Sequence, residues 1–239
     1  MHVLHTFANN DSVPYLSWFA ERAQREGGIR YSFLLLYPKP PAMMDEMHAL
    51  GFDCTWIKYD HRHRKRGILK ALPLLWWRIL KAKPDIVHCH LFDDSLPGVI
   101  AAWLAGVKVR VATKQDTGFH WMHARRWVFL DQLITRLSTH VIAISGECRS
   151  FLIEKENAPP SKITLVHNGI PPERFTKQDP ATIQRLRSHF GLTDQHPVIG
   201  TVARFIAWKG YEHIVDAART TSENIRMRAS YFAAWAHKK

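Results

Sequence analysis

Short apolar runs rich in β-branched residues, helix-like segments between them, and Pro, Gly and polar turns at the junctions predict an α/β fold, a doubly wound parallel sheet. Strands buried on both faces read as near-continuous apolar runs, whereas half-exposed strands alternate apolar with polar residues. Helices between such runs make βαβ units, which lay successive strands parallel.

The elements follow in order. The run HVLHTF (2–7) leads through the polar turn FANNDS to a helix over about 14–27, and YSFLLLY (31–37) leads to a helix over 41–50. CTWIKY (54–59) is followed by the basic stretch HRHRKRG (61–67) and a helix over 67–82, and DIVHCHL (85–91) by a helix over 95–105. VRVATK (109–114) precedes a single helix over 121–137. After HVIAIS (140–145), Ser145 caps a helix over 146–156 that Pro159 and Pro160 stop, and KITLVHNG (162–169) is the next strand. The stretch NGIPPERFTKQDP (168–180) has linker composition, followed by a helix over 180–190, a strand in VIGTVARF (198–205) and a helix beginning at KGYEHIVDAA (209–218). The last 21 residues show no strand followed by a glycine turn. This order divides the chain into a domain over 1–175, a linker and helix over 176–196, and a partial second domain over 197–239.

With 239 residues, 46% of them hydrophobic, the chain has enough apolar material for a packed core. Its formal charge of +12 favours anionic partners, among them nucleic acid, anionic lipid and phosphate-bearing substrates. Nucleic acid is not expected, because the sequence has no recognition-helix motif, no RNP-like aromatic strand and no zinc finger. Cys54, Cys89 and Cys148 are odd in number and widely spaced, with no signal peptide ahead of them, which points to a reducing, cytoplasmic setting. No apolar run approaches the roughly 20 residues of a membrane-spanning helix.

Open α/β sheets bind ligands at the carboxyl ends of their strands. His88 and His90 lie two apart on one strand and share a face, with Cys89 opposite. A zinc reading needs a third and a fourth ligand, and the sequence offers no convincing set. His88 is read as a strand-packing residue and His90, at the strand end, as a residue lining the cleft. The segment ILKALPLLWWRILKAK (68–83), behind its basic run, has two readings. Trp76, Trp77 and the leucines form an interfacial anchor at an anionic membrane, or the helix is an ordinary amphipathic one packed on the sheet.

Four segments carry a resemblance: KPDIVHCHLFDDSLPGVIAAWLAG (83–106), VRVATKQDTG (109–118), HVIAISGECRSFLIEKENAPPSKITLVHNGIPPERF (140–175) and VIGTVARFIAWKG (198–210). In this order they resemble the retaining GT-B glycosyltransferases of family four, over roughly residues 1–218. The resemblance implies two Rossmann-like domains and transfer of a sugar from a nucleotide-diphosphate donor, with retained configuration and no metal or other cofactor. The acceptor, a glycan or lipid-linked molecule, binds the first domain and the donor binds the second. Arg204 and Lys209 match the family's basic pair on the donor diphosphate, and Asn168 and Gly169 lie in the cleft.

The resemblance also shows three departures. Gln115 holds the place of a histidine that contacts the reacting sugar, with Asp116 and His120 nearby; Gln115, Asp116 and His90 are the candidate catalytic residues. Asn9 and Asn10 stand where a glycine-rich loop is usual, and asparagine is among the residues that best tolerate positive φ. The glutamate pair that grips the donor's ribose and sugar has no counterpart, since Glu212 and Glu223 fit neither its spacing nor its context. These departures lead to the expectation of weak or absent turnover, with a non-catalytic acceptor- or partner-binding module as the alternative. The expected location is the cytoplasm, with peripheral contact at the inner face of the membrane.

Overall fold

The computed structural model describes residues 1–176, 179–192, 198–205, 209–224 and 233–235. It divides into two units, Met1–Pro171 and Pro172–Lys239. The first contains strands β1 (His2–Ala8), β2 (Arg30–Tyr37), β3 (Asp53–Lys58), β4 (Ile86–Cys89), β5 (Val109–Lys114), β6 (His140–Ala143) and β7 (Ile163–Leu165). All are parallel, in the order β3-β2-β1-β4-β5-β6-β7. The chain therefore winds outward from β1 to one edge, crosses back to β4 and winds to the other edge. The strand order reverses between β1 and β4, where such sheets open a crevice for ligands.

The helices of this unit are α1 (Pro14–Glu26), α2 (Ala42–Ala49), α3 (Arg64–Ala82), α4 (Phe92–Leu104), α5 (Phe119–His123), α6 (Val128–Leu137) and α7 (Gly146–Glu154). Leu16 and Ala20 of α1 and Met43 and Met47 of α2 pack on Phe7, Phe33 and Leu35 on one face of the sheet. On the other face, Ala71, Leu75 and Ile79 of α3, Val99 and Ala102 of α4 and Ile134 of α6 cover Leu4, Leu34, Leu36, Val87 and Ala112. Cys148 and Leu152 of α7 bury Val141, Ala143 and Ile163. Gly98 allows α4 to lie close to β4, since a Cβ there would stand 2.8 Å from Cys89 Sγ.

The helix expected over 121–137 is two helices. The chain breaks at Ala124, whose φ of −157° is extended, and α6 starts only after a short 3-10 turn over Arg125–Trp127. The N-terminus of α7 follows the expected cap, with Ser145 accepting from the Cys148 N–H at 3.1 Å.

In the second unit, α8 (Pro180–His189) starts at Asp179, whose carboxylate accepts from the Thr182 N–H at 3.0 Å. A strand β8 (Val202–Arg204) pairs in parallel with β9 (Ala233–Trp235), and α9 spans Tyr211–Asn224 between them. Strand β9 lies in the last 21 residues, where the sequence shows no strand followed by a glycine turn.

Candidate functional site

Three strand ends build the site. At the end of β1, Asn9 adopts φ 65°, the left-handed conformation that a glycine would otherwise supply. Its amide donates to the Asp93 carboxylate, and the Asn10 amide donates to the Ala8 carbonyl at 3.1 Å. Asp93 also pairs with Arg64 Nε at 2.7 Å, so one buried carboxylate ties β1, α3 and α4 together.

At the end of β4, Asp94 reaches back to cap α4. Its carboxyl accepts from the N–H groups of His90 (2.8 Å) and Leu91 (2.9 Å) and from the Thr6 hydroxyl (2.8 Å). Burial lifts its pKa to about 7, against the hydrogen bonds that hold it down.

At the end of β5, the Gln115 amide donates to the Tyr15 hydroxyl at 2.8 Å, which fixes the side chain against α1. Asp116 accepts from the N–H groups of Gly118 and Phe119 at 2.8 and 2.9 Å and so starts α5. Gly118 sits at φ 86°, with the Phe151 ring in the space that a Cβ would need.

Beneath this end lies an ionic network. Lys114 Nζ is 3.0 Å from Glu156 and 3.3 Å from Asp131. Thr135 donates to Glu156 at 2.8 Å, and His120 Nδ1 is 2.7 Å from Asp131. Burial alone would lower the Lys114 pKa, but the two carboxylates outweigh it and hold the pKa raised.

Three imidazoles cluster between β1 and β4. The strand register pairs His5 with His88, and His5 Nδ1 lies 2.9 Å from His90 Nε2. His88 and His90 stack at 4.0 Å, Phe7 stacks on His90 at 4.0 Å, and His88 Nε2 lies 2.7 Å from the Thr113 hydroxyl. Burial pushes all three pKa values down, that of His88 to about 4, so the rings are neutral near pH 7. The sequence reading had only His88 and His90; the structure supplies His5 as a third imidazole.

His90, Gln115 and Asp116 line one pocket, together with Phe92, Thr113, Lys114 and Asp131; its open space is about 310 Å³ including the mouth. Asn9 and Asn10 stand at the neighbouring strand end and are not part of its lining. Asn168 and Gly169 are exposed beyond β7. Lys209 is exposed in the second unit, and the Arg204 side chain lies outside the described set. Sequence reasoning missed Lys114, Asp131 and Glu156, whose spacing of up to 42 residues carries no local signal. The phase of His5 in its strand, the same as that of His88 in register, was the one available clue.

Helix α3 settles part of the earlier choice. It buries Ala71, Leu75 and Ile79 and leaves Leu69, Leu74, Trp76, Trp77 and Leu80 exposed, with Lys81 and Arg78 over the Trp77 ring. The helix packs on the core and still presents an aromatic, cationic outer face. Among the described residues no helix is long and apolar enough to cross a membrane.

A wholly parallel seven-stranded sheet with a pocket at the carboxyl ends of β4 and β5 is a Rossmann-like arrangement. Residues 14–174 match Glycosyltransferase Family 4, and the chain belongs to that family. It is 31% identical over 172 residues to the UDP-Gal:alpha-D-GlcNAc-diphosphoundecaprenol alpha-1,3-galactosyltransferase of Escherichia coli, covering 69% of this chain and 43% of that protein. With EpsF of Bacillus subtilis, described as a glycosyltransferase, the identity is 26% over 212 residues, covering 84% of this chain and 53% of EpsF. The chain thus spans about half the length of these relatives.

Among solved structures, Anabaena HepE in complex with UDP and glucose superposes with a TM-score of 0.70 at 16% identity, over 92% of this chain and 58% of that one. The UDP-GlcNAc 2-epimerase of Neisseria meningitidis bound to UDP-GlcNAc gives 0.68 at 14% identity, over 100% and 66%. The first unit thus has the Rossmann-like fold of a GT-B N-terminal domain, and since both a UDP complex and an epimerase resemble it, function is argued from the site and the family.

Proposed function

We propose that this chain forms the acceptor side of a retaining glycosyltransferase that moves a sugar from a nucleotide-diphosphate donor to a lipid-linked or glycan acceptor of the cell envelope. Residues 1–175 make the acceptor domain, 176–196 the link and 197–239 the start of the donor domain. The convergence of His90, Gln115 and Asp116 on one pocket at the carboxyl ends of β4 and β5 supports this reading most directly. Gln115, held by Tyr15, offers an amide to a sugar hydroxyl but no titratable group. The cations Arg125, over Trp121, and Lys65 and Arg126, over Trp127, suit an anionic acceptor. The E. coli relative's name specifies a diphosphate-linked lipid acceptor.

In the donor half, Arg204 and Lys209 neutralise the leaving diphosphate as a metal ion does in other transferases, so transfer needs no metal or other cofactor. The enzyme works in the cytoplasm and touches the anionic inner leaflet through α3, whose exposed tryptophans and lysines suit the headgroup boundary. Nucleic acid is not a partner. Turnover by this chain alone is weak or absent, because Gln115 cannot serve in acid–base chemistry. A second reading, a non-catalytic acceptor-binding or partner-binding module, draws on the same observation.

Calorimetry with a panel of nucleoside diphosphates separates the two: heat that disappears in Arg204→Ala supports the transferase, and no heat with any of them supports the module. Release of nucleotide and sugar product is then measured with several nucleotide sugars and a lipid acceptor pool, beside a full-length relative. Turnover equal to the relative's would refute the expectation of weak activity. Equal binding to anionic vesicles after Arg62, Arg64, Lys65 and Arg66 are all changed to Ser would refute the membrane contact.

A further inference from the structure

We infer that His5, His88 and His90 form a binding site for one divalent transition-metal ion of the zinc class, which ties β1 to β4 behind the pocket. One ring nitrogen from each of the three lies within 4.8 Å of the others. Two features distinguish the trio from ordinary buried histidines. Hydrogen bonding does not satisfy it: His5 Nδ1 is engaged with His90, yet His5 Nε2 is buried without a partner. In addition, the Thr113 hydroxyl at 2.7 Å engages one nitrogen of His88 and so orients its ring, as a supporting contact does for a metal ligand.

The chemistry of the set narrows the ion. Three neutral imidazoles with no carboxylate among them suit zinc, cobalt, nickel or copper and not magnesium or calcium, which take oxygen ligands. Three histidines leave a fourth position open for water or hydroxide. With metal–nitrogen bonds of about 2.0–2.1 Å, tetrahedral ligand nitrogens lie about 3.3 Å apart. The three ligand nitrogens, within 4.8 Å of one another, draw in to that spacing as the ion binds, and His88, the least buried of the three, is the ring with most room to move. His5 is anchored among Phe19, Tyr31 and Phe33, and His90 against Phe7, so the site is largely preformed. The ion holds two strands whose paired residues are 83 apart in sequence, and through His90 it borders the pocket.

The whole chain, stripped with a chelator and dialysed, is titrated with zinc and with cobalt(II). One equivalent is expected to bind, giving the visible absorption of four-coordinate cobalt and a melting temperature several degrees higher at about 100-fold excess over Kd. His88→Gln and His5→Gln are expected to weaken this equivalent at least tenfold, whereas exposed His189→Gln leaves it intact. Circular dichroism checks that each variant is folded. X-ray absorption on the zinc-loaded wild-type chain, independent of any variant, is expected to count three imidazoles around the ion. No bound equivalent, an equivalent that survives folded His88→Gln undiminished, or fewer than three imidazoles around zinc would overturn the site.

Discussion

Two polar clusters lie buried at the same end of the sheet and are stabilised by opposite means. The network around Lys114, Asp131, Glu156 and His120 is built from opposite charges that satisfy one another. The cluster of His5, His88 and His90 is neutral and held by ring stacking and two hydrogen bonds, with one ring nitrogen left over. In the first, the lysine and both carboxylates have partners, and each member holds the others in place. The second is incomplete as a hydrogen-bonded set, which is why it has capacity for a ligand.

The largest expected effect breaks the ionic network. Glu156→Ala leaves Lys114 with Asp131 alone and Thr135 without its acceptor, and is expected to cost about 3–5 kcal/mol in chemical denaturation. A cost under about 1 kcal/mol would mean that water reaches the network. A smaller loss, about 1–3 kcal/mol, is expected for His5→Phe, because Phe packs among the same rings and only the hydrogen bond to His90 goes. If this variant proved costlier than Glu156→Ala, the contrast between the clusters would fail. The smallest effect is expected for Gln115→Ala, which removes one partly buried hydrogen bond to Tyr15 and costs about 0.5–1.5 kcal/mol. Gln115→Ala tests whether the residue serves a ligand, since binding of a sugar acceptor should fall more than stability does.

The strands of the first unit were legible because a parallel sheet writes itself as apolar runs: YSFLLLY is β2 within one residue, and VRVATK is β5. The break between α5 and α6 was not legible. The stretch around Ala124 has no proline or glycine, and the chain bends there where His120 turns back to meet Asp131. The pocket was legible one residue at a time, since His90, Gln115 and Asp116 all follow strand ends. Its supporting ionic network was not, because contacts such as Lys114 to Glu156 are set by the sheet rather than by local spacing. His5 escaped notice for the same reason, its tie to His88 and His90 existing only once β1 lies beside β4.

The two sides of the sheet also differ. Along β4–β7, the residues on the face that α1 and α2 occupy elsewhere are only partly buried at Ile86, His88, Val111 and Ile142, and exposed at His140 and Thr164. The opposite face of the same strands is closed by α4, α6 and α7.

The central place of β1 has a consequence for biosynthesis. Its first neighbour, β2, leaves the ribosome soon after it, but its second neighbour, β4, is paired with it across 83 residues. At 5–20 residues per second the wait is about 4–17 s. Throughout that interval a strand whose every residue is buried in the finished fold offers an open row of backbone donors and acceptors to any other strand nearby. Synthesis rate therefore bears on the yield of this protein, and slowing translation just before residue 86 should lower yield while speeding it should raise it.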